Sequence, residues 1–136
     1  MKILMIIGSN PSLSNINPVI PFVGTKSLTV LQNWISDIQF NMKTYFDYYT
    51  INASNKIAKN PKVSEMGLDR LRSEFELTKP FAVVALGRYA ALAAKKASLE
   101  FFELPHPSGL NRKLNDKTYV RGVLKECSEY LSERLG

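Results

Sequence analysis

The fold is indicated most directly by the stretch Lys2-Ile-Leu-Met-Ile-Ile7, which runs into Gly8-Ser-Asn-Pro-Ser12. A continuous apolar run of this length is typical of a strand buried on both faces, as in a parallel sheet covered by helices. The glycine turns the chain, and the Asn-Pro pair begins a rigid loop. In parallel α/β sheets such loops lie at the carboxyl edge of the strands, where ligands bind. Neither Gly-x-Gly-x-x-Gly nor Gly-Lys-Ser/Thr follows the strand, which argues against a phosphate-binding loop.

The rest of the chain alternates between strand and helix patterns. We predict strands near residues 2–7, 44–51, 81–86 and 99–104, and helices near residues 25–40, 63–79, 87–97 and 116–134. This alternation predicts a three-layer α/β/α sandwich with a central, mainly parallel four-stranded sheet. With 136 residues, we expect a single domain spanning 1–136. Trp34, Phe40 and Phe75 fall at helical spacing with other apolar residues, and we assign all three to the core.

The composition is that of an ordinary globular domain. No apolar segment approaches the ~20 residues that a membrane-spanning helix needs, and the N-terminus lacks a signal-peptide pattern. The single cysteine, Cys127, falls on an apolar helical stripe with Val120, Leu124 and Leu131, so we expect a small buried hydrophobe. Because one cysteine forms no disulfide framework, a reducing compartment is expected, either the cytoplasm or the nucleoid.

The chain is basic, with a net charge of +6 and a pI near 9.5. Lysines and arginines on solvated helix faces would explain part of this charge. Their positions favour a second explanation, a surface that binds nucleic-acid phosphates, because they concentrate at predicted strand-to-helix junctions. These junction residues are Lys56, Lys59 and Lys62, then Arg88, and then Arg112, Lys113 and Lys117.

The only histidine, His106, lies in the loop Leu104-Pro-His-Pro-Ser-Gly-Leu-Asn-Arg112, after a second apolar run. A proline on each side restricts the backbone, so little conformational entropy remains to be lost when the imidazole is aimed at a ligand. Rigid polar loops at strand ends are where binding and catalytic residues concentrate. A proline-rich turn with an incidental histidine remains the alternative if this loop is taken alone.

Together the two loops resemble the motifs of the uracil-DNA glycosylase superfamily. Gly8 to Ser12 is similar to the Gly-x-Asn-Pro-Gly motif of its mismatch-specific and single-strand-selective branches. His106 to Arg112 resembles the His-Pro-Ser loop, most closely that of the mismatch-specific branch. Other segments resemble, in the same order, the thermostable family 4 enzymes: Pro21-Phe-Val-Gly24, Tyr49-Thr-Ile-Asn52, Asn60-Pro61 with Glu65, and Pro80-Phe-Ala-Val-Val-Ala-Leu-Gly87. The resemblance covers the chain from Lys2 to about Arg112.

This resemblance implies removal of uracil or a related damaged pyrimidine from DNA after base flipping. His106 would stabilise the departing base anion, and Asn10 would position the attacking water. In the substrate pocket, Phe22 would stack on the base and Asn52 would read its edge. A core phenylalanine and a strand-ending turn asparagine are the alternatives for these two positions. The loop residues Gly8, Ser9 and Ser12 would complete the pocket.

The implied DNA contacts lie in the histidine loop and in the turn after residue 86. Leu110 would fill the space that the flipped base leaves, and Ser108 and Gly109 would meet phosphates. Further phosphate contacts are expected from Arg88, Arg112 and Lys113. We expect a monomer whose partner is DNA, single- or double-stranded, with no membrane association.

Three features depart from the family patterns. One cysteine cannot ligate the four-cysteine iron–sulfur cluster of family 4, and one histidine with one cysteine makes a zinc site improbable, so we expect no cofactor and no metal. Ser12 replaces the second glycine of the first motif, at a place where the uracil-specific branch has a tyrosine that excludes the thymine methyl group. We therefore expect a pocket that accepts C5-substituted uracils. The chain is also shorter than typical members.

Two other classes of function stay open at this point. One is a catalytically weak relative that binds DNA or a protein as a replication or defence accessory. The other is a nucleotide-binding α/β protein with convergent loops. Retention of Asn10, Phe22, Asn52 and His106 together favours the glycosylase over the first alternative. The missing phosphate-cradling glycine pattern disfavours the second.

Overall fold

The computed structural model describes residues 2–8, 26–52, 68–107 and 112–135. As predicted, four strands alternate with four α-helices in these ranges. A short 3-10 helix that was not predicted precedes the last of them. The elements are β1 (Ile3–Gly8), α1 (Lys26–Met42), β2 (Asp47–Asn52), α2 (Leu68–Thr78), β3 (Ala82–Leu86), α3 (Gly87–Lys96), β4 (Phe102–Leu104), the 3-10 helix (Arg112–Asn115) and α4 (Lys117–Leu135).

The strands form one sheet in the order β2-β1-β3-β4, and all neighbouring pairs are parallel. Strand β1 is central and pairs with β2 from Ile3 opposite Asp47 to Gly8 opposite Asn52. Its side chains from residue 4 to residue 7 are completely buried. The continuous apolar run therefore predicted correctly a strand covered on both faces, because only such a strand needs apolar side chains in both directions.

Each face of the sheet has its own hydrophobic core. On one face, α1 and α4 pack against Leu4 and Ile6, and Cys127 lies buried in this layer. On the other, α2 and the alanine-rich α3 pack against Met5 and Ile7. The three-layer α/β/α prediction is thus confirmed, as is the burial of the cysteine. Burial raises the pKa of the Cys127 thiol to about 12, so the group stays protonated and behaves as a small apolar side chain.

The prediction for Phe40 was wrong, because 84% of its surface is exposed. The buried stripe of α1 contains Leu31, Trp34 and Ile38, and residue 40 follows residue 38 by two positions. Residues two apart on a helix point to different sides, so Phe40 faces solvent. Of the other two aromatic residues assigned to the core, Trp34 is buried on the α1 and α4 face of the sheet, and Phe75 packs partly buried against the core on the other face.

Two strands begin three residues later than predicted. Lys43 adopts a φ of 56° after the last turn of α1, and the chain reaches the sheet only at Asp47. Before β4, the N–H of Leu99 donates to the carbonyl of Ala94, which keeps residue 99 at the end of α3 rather than in the sheet. Helix-terminating hydrogen bonds of this kind follow from local backbone geometry that an apolar pattern does not encode.

Candidate active site

The carboxyl ends of the four strands lie at one edge of the sheet. There, the connections that follow the neighbouring strands β1 and β3 go to opposite faces of the sheet. The chain leaves β1 toward α1 on one face, whereas it leaves β3 toward α3 on the other. Neighbouring parallel strands whose connections leave in opposite directions open a crevice at their carboxyl ends, which is the usual ligand site of such sheets. Gly8 ends β1 and Gly87 directly follows β3, so both border the crevice.

Asn52 ends β2 directly beside Gly8, and its side chain is almost completely buried, with 3% of the residue exposed. Among the described residues, its amide nitrogen Nδ2 has no hydrogen-bond partner. A buried amide without a partner is costly, because the protein has removed it from water without replacing the lost hydrogen bond. Such a donor can pair with an acceptor on a ligand that binds at this edge.

His106 packs against the turn between β3 and α3. Helix α3 begins at Gly87 immediately after Leu86 ends the strand, and this transition requires the glycine to adopt a φ of 85°. A Cβ atom added to Gly87 would lie 3.1 Å from the Cβ of His106 and 3.5 Å from its ring atom Cδ2. The histidine thus occupies space that only a glycine leaves open, and the turn fixes its position relative to β3.

Partial burial also determines the charge of His106. Desolvation lowers its pKa below the ordinary value of 6.5, because an imidazolium loses more hydration than a neutral ring. The side chain is therefore mainly neutral near pH 7. A neutral imidazole keeps one N–H group, so it can donate a hydrogen bond to a developing anion without carrying a charge of its own.

Strand spacing sets the size of the opening between these two side chains. Neighbouring strands lie about 4.8 Å apart. Asn52 ends β2, and His106 lies against the turn that follows β3, two strands away in the order β2-β1-β3. The two backbones are therefore separated by roughly 10 Å at this edge.

A comparison with protein families bears on this arrangement. The family model described as the uracil DNA glycosylase superfamily matches residues 2–132. The chain belongs to the uracil-DNA glycosylase superfamily. A search of the curated proteins gives no match. The resemblance inferred from the sequence motifs is thus confirmed at the level of the superfamily, and membership indicates a DNA glycosylase, a hydrolase that acts on DNA in repair.

In this member of the uracil-DNA glycosylase superfamily, the structure brings four of the predicted site residues to one edge of the sheet. These are Gly8, Asn52, His106 and Arg88. Arg88 is exposed in the first turn of α3. Arg112 and Lys113 begin the 3-10 helix after the histidine loop. The remaining predicted residues lie outside the described residues: Ser9, Asn10, Ser12, Phe22, Ser108, Gly109 and Leu110. The basic residues Lys56, Lys59 and Lys62 also lie outside them.

Two residues at this edge were not predicted to belong to the site. In the sequence, Gly87 was identified only as the end of the segment Pro80–Gly87 that resembles family 4. A glycine between a predicted strand and a predicted helix could have indicated a tight turn at the site. Arg70, in the first turn of α2, donates a hydrogen bond from Nη2 to the backbone carbonyl of Asn52. Burial lowers the pKa of this guanidinium, and the nearby Glu74 opposes the shift. Nothing in the local sequence links an arginine to a carbonyl 18 residues earlier.

Two negative findings concern the described part of the chain. Within residues 2–8, 26–52, 68–107 and 112–135, no three histidine, cysteine or acidic side chains cluster as they would around a metal ion. No helix in these ranges combines the length and the apolar character needed to cross a bilayer.

Proposed function

We propose that this protein is a monofunctional DNA glycosylase that hydrolyses the N-glycosidic bond of uracil, or of a C5-substituted uracil, in DNA. The observation that carries the proposal is the pairing of two side chains at one sheet edge. Asn52 is buried there with an amide nitrogen that has no partner in the described residues, and His106 is held there as a mainly neutral donor. Membership of the superfamily supplies the reaction class.

Base recognition follows from the amide chemistry of Asn52. Its Nδ2 would donate to O4 of a flipped uracil, and its Oδ1 would accept from N3–H. Cytosine presents the opposite pattern at both positions, so a fixed amide discriminates between the two bases. Since Nδ2 has no partner within the described residues, a base with a matching acceptor would supply the hydrogen bond that burial removed. Phe22 would stack on the face of this base, which adds affinity without selecting one pyrimidine.

Departure of the base is the step assigned to His106. When the glycosidic bond breaks, the bonding electrons leave with uracil, and the negative charge develops on O2. A preorganised N–H donor in a site shielded from water stabilises this charge, and loss of one such donor costs a factor of about 100 or more in rate. The anionic leaving group also explains why the two-carboxylate arrangement of ordinary glycoside hydrolases is not needed.

Asn10 would hold the water that attacks the oxocarbenium-like sugar. An amide orients water but does not remove its proton, so we expect slower chemistry than an aspartate would give at this position. Arg88, Arg112 and Lys113 would bind phosphates, with Ser108 and Gly109 adding polar contacts to the backbone. Leu110 would enter the base stack to replace the flipped nucleotide.

The proposal is tested with labelled oligonucleotides that carry one uracil in a single strand, opposite guanine or opposite adenine. Cleavage after alkali is expected on at least one of them, and 5-hydroxymethyluracil is expected to be accepted because Ser12 is small. Efficient removal of uracil with rejection of 5-hydroxymethyluracil would contradict only the expectation that the pocket has space for a substituent at C5. No excision from any substrate, with DNA binding retained, would contradict the enzyme and favour an accessory that binds DNA.

A further inference from the structure

Asn52 is the last residue of β2, so its backbone lies at the end of the strand pairing. The parallel ladder between β1 and β2 ends with Gly8 opposite Asn52. Within the described residues, the ladder has no pair beyond this one. Strand β2 is also an edge strand, with a neighbour only in β1 among the described residues. A base-reading side chain at such a place needs another constraint on its backbone.

Arg70 supplies such a constraint from outside the sheet. Its Nη2 group donates to the carbonyl oxygen of Asn52, across a contact that is partly buried. Helix α2 starts at Leu68 at the carboxyl edge, and Leu71 anchors this first turn in the core with no exposed surface. The guanidinium is therefore carried by a part of the helix that is itself fixed. A charged donor on a neutral carbonyl makes a stronger hydrogen bond than two neutral groups do.

We propose that Arg70 is a positioning residue, which holds the backbone of Asn52 so that the amide of Asn52 meets the base in one orientation. This inference rests on the proposed function and names a residue outside the loops that the family motifs contain. Arg70 touches neither base nor sugar in this account. Its effect passes through the carbonyl of Asn52 to the peptide plane, and from there to the direction of the Cα–Cβ bond.

The chain offers a matched control on the same helix. Arg72 also donates a guanidinium hydrogen bond to a backbone carbonyl, that of Ala97, at 3.0 Å. Ala97 follows the end of α3, at the edge of the sheet opposite to Asn52. Arg70→Ala and Arg72→Ala thus remove the same side chain, the same charge and the same kind of hydrogen bond from one helix. Only the first of them acts at the candidate site.

The experiment compares wild type, Arg70→Ala, Arg70→Lys and Arg72→Ala. For each protein, single-turnover excision of uracil is measured together with the thermal midpoint of unfolding. We expect Arg70→Ala to lose about ten- to a hundredfold in rate, as for a misplaced reacting group. Arg72→Ala should stay within about twofold of wild type at a comparable thermal midpoint. Arg70→Lys should recover part of the loss, because an ammonium group still donates one hydrogen bond to the carbonyl.

Three results would overturn the inference. One is full activity in Arg70→Ala, and another is an equal loss in Arg72→Ala. The third is weaker binding of uracil-free DNA by Arg70→Ala with a flatter salt dependence, since this would make Arg70 a phosphate contact.

A second readout separates this inference from the proposed function. The side-chain amide of Asn52 gives a pair of cross-peaks in a ¹⁵N–¹H correlation spectrum, which Asn52→Asp identifies by their loss. We expect this pair to shift in Arg70→Ala and to stay in place in Arg72→Ala, even if wild type excises no base. An unshifted pair in Arg70→Ala would overturn the positioning role, whatever the enzyme assays give.

Discussion

Gly87→Ala tests how the turn after β3 positions His106. The glycine has a φ of 85°, a conformation that costs an alanine about 1–2 kcal/mol. The new Cβ would also lie 3.1 Å from the Cβ of His106, so the histidine must retreat by a few tenths of an ångström. For a chain of 136 residues, the unfolding entropy is roughly 0.29 kcal/mol/K. A total loss of about 2 kcal/mol therefore lowers the thermal midpoint by about 7 °C.

The same variant should excise uracil about tenfold more slowly, because the donor no longer meets the leaving oxygen at its best distance. Gly122→Ala is the matched control. Gly122 is exposed within α4, and an added Cβ would meet nothing within 4 Å. Alanine is favoured there by about 0.5–1 kcal/mol, so this variant should be slightly more stable and fully active. The assays are thermal unfolding and single-turnover excision on both variants.

Equal stability and activity in the two glycine variants would refute the reasoning. A stability loss in Gly87→Ala without any loss of rate would refute only the role of the turn in positioning His106. The stability loss would still be explained by the unfavourable φ that alanine must adopt.

Three further predictions concern the stability and charge of the site. Asn52→Leu should leave the free energy of unfolding unchanged or raise it by up to ~1 kcal/mol, since it removes a buried donor, yet excision should fall at least a hundredfold; denaturant melts and rate assays check both. Because folding lowers the pKa of His106, the unfolded chain binds more protons below about pH 6.5, and stability should fall as the pH drops from there toward the lowered pKa. In His106→Gln, the free energy of unfolding from urea melts should vary less with pH over this window, since the chain has no other histidine. An unchanged pH dependence would contradict the lowered pKa of His106. Lys117 lies in the first turn of α4 after the histidine loop, and Lys117→Ala should reduce the slope of log affinity for DNA against log salt concentration by about one. Lys96 ends α3 at the edge of the sheet away from the candidate site, and Lys96→Ala should leave this slope unchanged.

The fold was predictable because strands that are buried on both faces of the sheet consist of continuous runs of apolar residues. The apolar runs at residues 2–7 and 81–86 correspond to the two central strands, β1 and β3. Edge strands are less marked, and β2 and β4 accordingly began later than predicted. The exposure of Phe40 shows the limit of spacing arguments, because a two-residue offset from Ile38 moves a side chain off the buried stripe of α1.

The candidate site was predictable in part. Motif resemblance indicated Gly8, Asn52 and His106, and the parallel topology explains why segments so far apart in sequence share one edge. That the amide nitrogen of Asn52 has no partner within the described residues could not be predicted, since this depends on how every neighbour packs. The hydrogen bond from Arg70 is a similar case, because a helix delivers it to a strand end through tertiary structure alone.

The central claim is that His106 stabilises the departing base in a uracil-excising enzyme. The most direct measurement is the single-turnover rate of uracil release by wild type and by His106→Ala, with substrate binding measured in parallel. The account predicts release by wild type, a loss of about a hundredfold in the variant, and nearly unchanged binding. Full activity in His106→Ala would contradict the account.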